Sequence, residues 1–222
     1  MTLQDLIGLY RAESNDKAPP YFFDDLAITS WLNAAQKEAV LRGRLIHESS
    51  NAAVTNIAVT ANQTVCPLHP TLYEIDYIAF LETGSDTPTP LYLISREDLD
   101  AVDCDWRSLT GTPEYAIQSD QSLRLCPKPE VGGTLLLEGF RFPLVDMAIP
   151  TDIPEINTAH HSHLVDWALH KAYSVPDTEF FDKDRASISL KAFSDYFGLR
   201  PDSDLRRKTR EDVVHHVEAF FV

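Results

Sequence analysis

The chain has 222 residues, a net charge of −15, 44% hydrophobic residues and 10% aromatic residues. That composition is ordinary for a globular protein with a sizeable core, and no apolar run approaches the roughly 20 residues of a bilayer-spanning helix. So acidic a surface repels phosphates and argues against sequence-specific nucleic-acid binding.

The first residues, MTLQDLIGLYRAES, lack the basic start and apolar middle of a signal peptide. The expectation is a protein that stays in the compartment where it is made. Leu3, Leu6, Ile7 and Tyr10 recur at helical spacing and predict a helix over Thr2–Ala12. A turn-rich stretch, SNDKAPPYFFDD, follows. Asp24 or Asp25 then caps a second helix from Asp25 to near Leu45. Leu26, Trp31, Leu32, Ala35, Ala39 and Ile46 are its apolar positions, and Gln36, Lys37, Arg42 and Arg44 fall on the polar side.

From Asn51 to Arg141 the pattern changes to strands. TNIAVTA, YEIDYIAFL, PLYLIS, EYAIQSD, SLRLCP and GTLLLEGFR are punctuated by Pro, Gly and Asp. One hairpin is expected to turn at Ser119–Ser122 and another near Lys128–Gly133, with a short helical turn after Ser95. Cys66, Cys104 and Cys126 are odd in number, widely spaced and without a CxxC, which predicts reduced thiols.

Helical spacing returns at Ile156. One helix is expected over His160–Val175, stopped by Pro176. Another runs over Asp177–Phe197, with Phe180, Phe181, Ile188, Leu190, Phe193 and Phe197 apolar, and ends at Gly198 and Pro201. The predicted fold class is α+β, mainly α: a four-helix bundle with a β-strand domain inserted between helix 2 and helix 3, plus an extended C-terminal tail. Its parts are residues 1–50, 51–150, 151–200 and 201–222.

HHSHLVDWALHKAY, from His160 to Tyr173, concentrates four of the eight histidines. At about 100° per residue, Leu164, Val165, Ala168, Leu169 and Ala172 form a core stripe, and His160, His163, Asp166 and His170 share the opposite face. The pairs His163/Asp166 and Asp166/His170 have metal-ligand spacing on a helix, so a metal-dependent hydrolase is the enzymatic alternative. No HExxH or ExxH accompanies them, nor is there a GxGxxG, GxxxxGK[ST] or GxSxG. The favoured reading is a polar face at a subunit contact, through His163, Asp166 and His170, with no catalytic residues, metal or cofactor.

The last residues, VVHHVEAFFV, carry Val213, Val214, Val217, Phe220, Phe221 and Val222. Such an apolar segment either folds back on its own chain or docks on a partner and orders on contact.

The chain resembles tailed-phage head-to-tail adaptor proteins, also called head-completion or connector proteins, to which the tail tubular protein A (gatekeeper) of short-tailed phages is related. The resemblance runs through YFFDDLAITSWLNAAQKEAVLRGRLI, PLHPTLYEIDYIAF, DWRSLTGTPEYAI with its Gly111–Tyr115 core, LRLCPKPEVGGTLLLEGFRFP, and EINTAHHSHLVDWALHKAYSVPDTEFFDKDRASISLKAF. It covers residues 2–200. It implies a non-enzymatic structural protein of the virion, forming a homo-oligomeric ring of about twelve copies. The ring would lie between the portal protein and the tail nozzle or tail tube protein. Double-stranded DNA would pass non-specifically through its lumen, and no membrane is involved. The apolar tail would be the portal-docking element. An acidic lumen would let DNA slide without adhering. Another tail or baseplate component is the remaining alternative.

Overall fold

The computed structural model describes residues 1–176 and 178–201. The proposed portal-docking residues Val213, Val214, Val217, Phe220, Phe221 and Val222 lie outside the described residues, as does Asp177. In chain order the elements are α1 (Leu3–Ser14), α2 (Asp25–Gly43), β1 (His47–Glu48), α3 (Ala52–Thr55), β2 (Asn56–Val59), β3 (Val65–Pro67) and β4 (Leu72–Glu82). There follow β5 (Thr89–Pro90), β6 (Tyr92–Leu93), α4 (Arg96–Val102), β7 (Thr110–Gly111), β8 (Tyr115–Gln118), β9 (Ser122–Cys126), β10 (Lys128–Pro129) and β11 (Gly133–Arg141). A 3-10 turn (Thr158–His160), α5 (Leu164–Tyr173) and α6 (Lys183–Phe197) complete the order. They divide into two compact units, Met1–His47 with Phe140–Pro201, and Glu48–Gly139.

The expectation of a mainly α four-helix bundle is overturned. The described residues are 35% helix and 23% strand, with six helices and three sheets. The physical reason lies in the strand-forming region, which forms three sheets and also holds two short helices, capped by Asn51 and Ser95. Val59, Cys66, Leu72, Ile78, Phe80, Leu123, Leu125 and Leu135 are buried together there.

In the first unit, local signals set the helix ends. Thr2 accepts from the Asp5 amide at 3.2 Å while the Asp5 carboxylate accepts from the Thr2 amide at 2.8 Å, a reciprocal capping box. Those hydrogen bonds hold the Asp5 carboxyl below its usual range. Asp24, rather than Asp25, caps α2 through the Ala27 amide at 2.8 Å. Two of α1's first amides, on Leu3 and Gln4, donate to the carbonyls of Asp152 and Pro150. α6 begins at Lys183, six residues later than expected at Asp177, because Asp182 caps it through the amides of Asp184 and Arg185. Two α2 assignments also change: Gln36 is buried and Leu26 is exposed.

Arg11 holds the loop between α1 and α2. Its guanidinium meets Asp16 at 3.1 Å and Asp25 at 2.6 Å, donates to the Phe23 carbonyl at 3.2 Å, and lies over the Tyr21 ring at 3.6 Å. Asp16 is buried and also accepts from the Phe22 amide at 3.2 Å. Phe23 and Phe180 pack edge to face at 5.5 Å, and Phe180 stacks on Tyr173 at 4.9 Å, so the loop is joined to the end of α5.

In the second unit, the largest sheet has the order β1-β11-β4-β5, with β2 also on β11, and a four-stranded sheet has the order β3-β9-β8-β6. The turn at Ser119–Ser122 forms as expected, with β8 and β9 antiparallel and Gln118 opposite Leu123. The second expected hairpin does not form. β9 and β11 lie in different sheets, and Lys128–Pro129 pairs with β7 in parallel. Prolines 127 and 129 remove two ladder donors from that stretch. At Gly139 a side chain would stand 2.2 Å from the Glu74 carbonyl oxygen, so only glycine lets β11 lie this close to β4 there. Cys66, Cys104 and Cys126 are free thiols, and burial pushes Cys66 up to about 11.

Arg11→Met leaves the Asp16 carboxylate buried without its cation. It should destabilise the helical unit by about 3 kcal/mol in chemical denaturation. Adding Asp16→Asn should recover part of that loss, whereas equal stability of Arg11→Met and the parent would show that the loop is held by its aromatic contacts alone.

Candidate functional site

The apolar stripe read from the sequence is the one α5 buries: Leu164, Val165, Ala168, Leu169 and Ala172 all face the core. α5 packs against α1, α2 and α6. The histidine edge is less open than the helical wheel implies, because α6 covers part of it. α5 also begins four residues later than expected, so His160 belongs to the 3-10 turn and His163 stands at the helix N-cap.

Tyr196 on α6 organises the first two histidines. The His163 ring stacks on it with centroids 3.6 Å apart and planes 19° apart. His160 Nδ1 lies 3.1 Å from the Tyr196 hydroxyl, which donates to the Ala159 carbonyl at 3.4 Å. The hydroxyl therefore accepts from His160 Nδ1–H. His170 points elsewhere: its Nδ1 donates to the Ala186 carbonyl at 2.9 Å. Asp166 lies 3.5 Å from His163 Nδ1. Between these groups Trp167 packs on Phe193 at 5.1 Å, with the Arg42 guanidinium 5.5 Å from its centroid.

His163 and Asp166 are thus brought together, while His160 and His170 are directed to separate partners. Among the described residues no group of three or more His, Cys, Asp or Glu side chains could hold a metal ion. The four residues of the hydrolase alternative, His160, His163, Asp166 and His170, are therefore not gathered at one point. What remains accessible is one edge of His163 and Asp166 beside Tyr196, a polar and aromatic surface.

Sequence reasoning missed three parts of this arrangement. Tyr196 lies one residue from Phe197, so the apolar periodicity of α6 passes over it. His161, in the same histidine run, is fully buried, and its Nε2 donates to the Ile156 carbonyl at 3.0 Å. The third is the stretch after β11. Asn33 clamps it by donating to the Met147 carbonyl and accepting from the Met147 amide, both at 2.9 Å, and Lys37 pairs with Asp146 at 2.8 Å. An Asn on the polar face of a long helix was the only sequence signal for that clamp.

Loss of hydration pushes the Asp166 carboxyl above the usual carboxylate range, with the His163 hydrogen bond and charge opposing it.

The family model described as SU10 adaptor protein matches residues 1–215 of the chain. No curated protein matches it.

The raised Asp166 carboxyl fixes a sign. The folded state binds that proton more tightly than the unfolded state, so stability present below the ordinary carboxylate value is lost as pH rises through the raised one. Asp166→Asn should therefore melt higher than the parent at pH 7, and the two curves should converge near pH 4. An equal or lower melting temperature at pH 7 would mean that the charge is stabilised at the start of α5.

Proposed function

Since the chain belongs to the SU10 adaptor protein family, a family of phage head-to-tail adaptors, we propose that it forms a closed ring of about twelve copies at the head–tail junction of the virion. The ring sits between the portal protein and the tail nozzle or tail tube protein, and its lumen passes double-stranded DNA. It acts as a structural part and not as a catalyst. The observation that carries this reading is the family match itself, which takes in residues of both units.

Two physical features support it. The unit Glu48–Gly139 carries fourteen Asp and Glu residues against four Lys and Arg. A wall with that balance repels phosphates, which suits a passage through which DNA slides. A closed ring also repeats one heterologous contact, so each copy needs two different faces. The exposed edge of His163 and Asp166, with His170 anchoring the helix behind it, is our candidate for part of one such face. Val213, Val214, Val217, Phe220, Phe221 and Val222 form the candidate portal-docking segment, an apolar stretch able to fold onto a partner groove.

Negative-stain images of the protein with portal rings should show a ring of about twelve coaxial with the portal. Removing Asp212–Val222 should leave the melting temperature unchanged and weaken capture by immobilised portal rings at least about tenfold. Undiminished capture would rule out the docking role of that segment.

A further inference from the structure

The clamp between α2 and the stretch after β11 leaves an open groove. One part, about 640 Å³, is lined by Leu26, Thr29, Ala34, Lys37, Asp146 and Met147 among others. The adjoining part, about 380 Å³, shares Asp146 and Met147 and extends to Val145, Asp152 and Ile153. Met147 is buried and floors it, whereas Leu26 and Val145 on its walls are 78% and 79% exposed. Contiguous exposed apolar surface rimmed by carboxylates is unusual for a face that meets only water. Asp25, Asp146 and Asp152 stand on that rim against the single cation Lys37.

α6 carries the complementary surface. It is tied to α5 through Phe193 and Phe197, which are buried, and its opposite side is exposed. Ile188 (68% exposed) stands in the middle of that side, and Leu199 (82%) just beyond the helix. Lys183, Arg185, Lys191 and Arg200 lie along the helix and just beyond it together with Asp182, Asp184 and Asp195, and Arg185 and Arg200 pair with Asp182 and Glu38. In a chain of net charge −15 this is a less acidic, apolar-centred face. It continues to Tyr196 and the edge of His163. The two faces cannot meet within one chain. α6 reaches α2 through Arg42 and the Ser194 hydroxyl (3.0 Å), and Arg42 projects about 180° around α2 from Asn33 at about 100° per residue.

We propose that the groove between α2 and residues 144–153 receives the outward face of α6 from a second copy of the chain, forming the heterologous contact that closes the ring. The proposal rests on the ring reading above and names the two faces that reading requires. Apolar contact centres on Ile188 and Leu199 against Leu26 and Val145, and the carboxylate rim meets the cations of α6 around it.

The test uses two variants of the full chain, Leu26→Gln with Val145→Gln in the groove, and Ile188→Gln with Leu199→Gln on the α6 face. All four positions are mostly exposed, so both variants should show the parent's melting curve. Each alone should stay monomeric at about ten times the concentration at which the parent assembles, with or without portal rings. Mixed in equal amounts they retain one intact groove and one intact α6 face between them. The mixture should therefore form a discrete heterodimer of about 50 kDa and no ring. Assembly of either variant at the parent's concentration, or a mixture that stays monomeric, would overturn the proposal and leave the ring reading standing. A parent that forms no ring, alone or on portal, would remove the ring reading and this contact with it.

Discussion

Burying the apolar stripe of α5 against α1 and α2 leaves an opposite edge of histidine, aspartate and tryptophan that still needs partners. Polar groups withdrawn from water must be hydrogen-bonded or they weigh against folding. α6 supplies a first-turn carbonyl to His170 and a tyrosine to His160 and His163. Phe193 then packs on Trp167, whose buried indole N–H has no hydrogen-bond partner among the described residues. One side of α6 is thereby committed inward, and Ile188 and Lys191 are left on the other side.

The loop before α2 obeys the same constraint at the other end of α5. A single guanidinium satisfies a buried carboxylate, an exposed one and a carbonyl, while Phe23 and Phe180 carry the apolar continuity to Tyr173. α2 is held from a third direction by the Asn33–Met147 clamp. Its three sides therefore serve the core, α6 and the segment after β11. The groove is a consequence of the last of these, because the clamp brings backbone close to the helix while Leu26 and Val145 remain outside.

The strand-rich unit is stabilised separately. Its core draws on β2, β3, β4, β9 and β11 together, and it holds two thirds of the net negative charge of the chain. Mutual repulsion of that charge opposes crowding of copies, so assembly into a ring depends on contacts between less acidic surfaces. The helical unit offers such a surface in α6.

The sequence by itself determined the helical spans of α1 and α2, the turn at Ser119–Ser122, the buried stripe of α5 and the adaptor family, because each rests on local periodicity, on turn chemistry or on the order of short motifs. Only the tertiary structure decided the rest. The helical wheel placed His160, His163, Asp166 and His170 on one face, but a wheel describes one helix and cannot show that α6 lies over it. It also counted Leu26 as core and Gln36 as surface, since a wheel does not show which side of α2 its neighbours reach. The balance of the fold escaped for the same reason. Alternating strands declare themselves locally, whereas which strands pair and how many sheets they form is settled by long-range packing, and here β9 and β11 fall in different sheets.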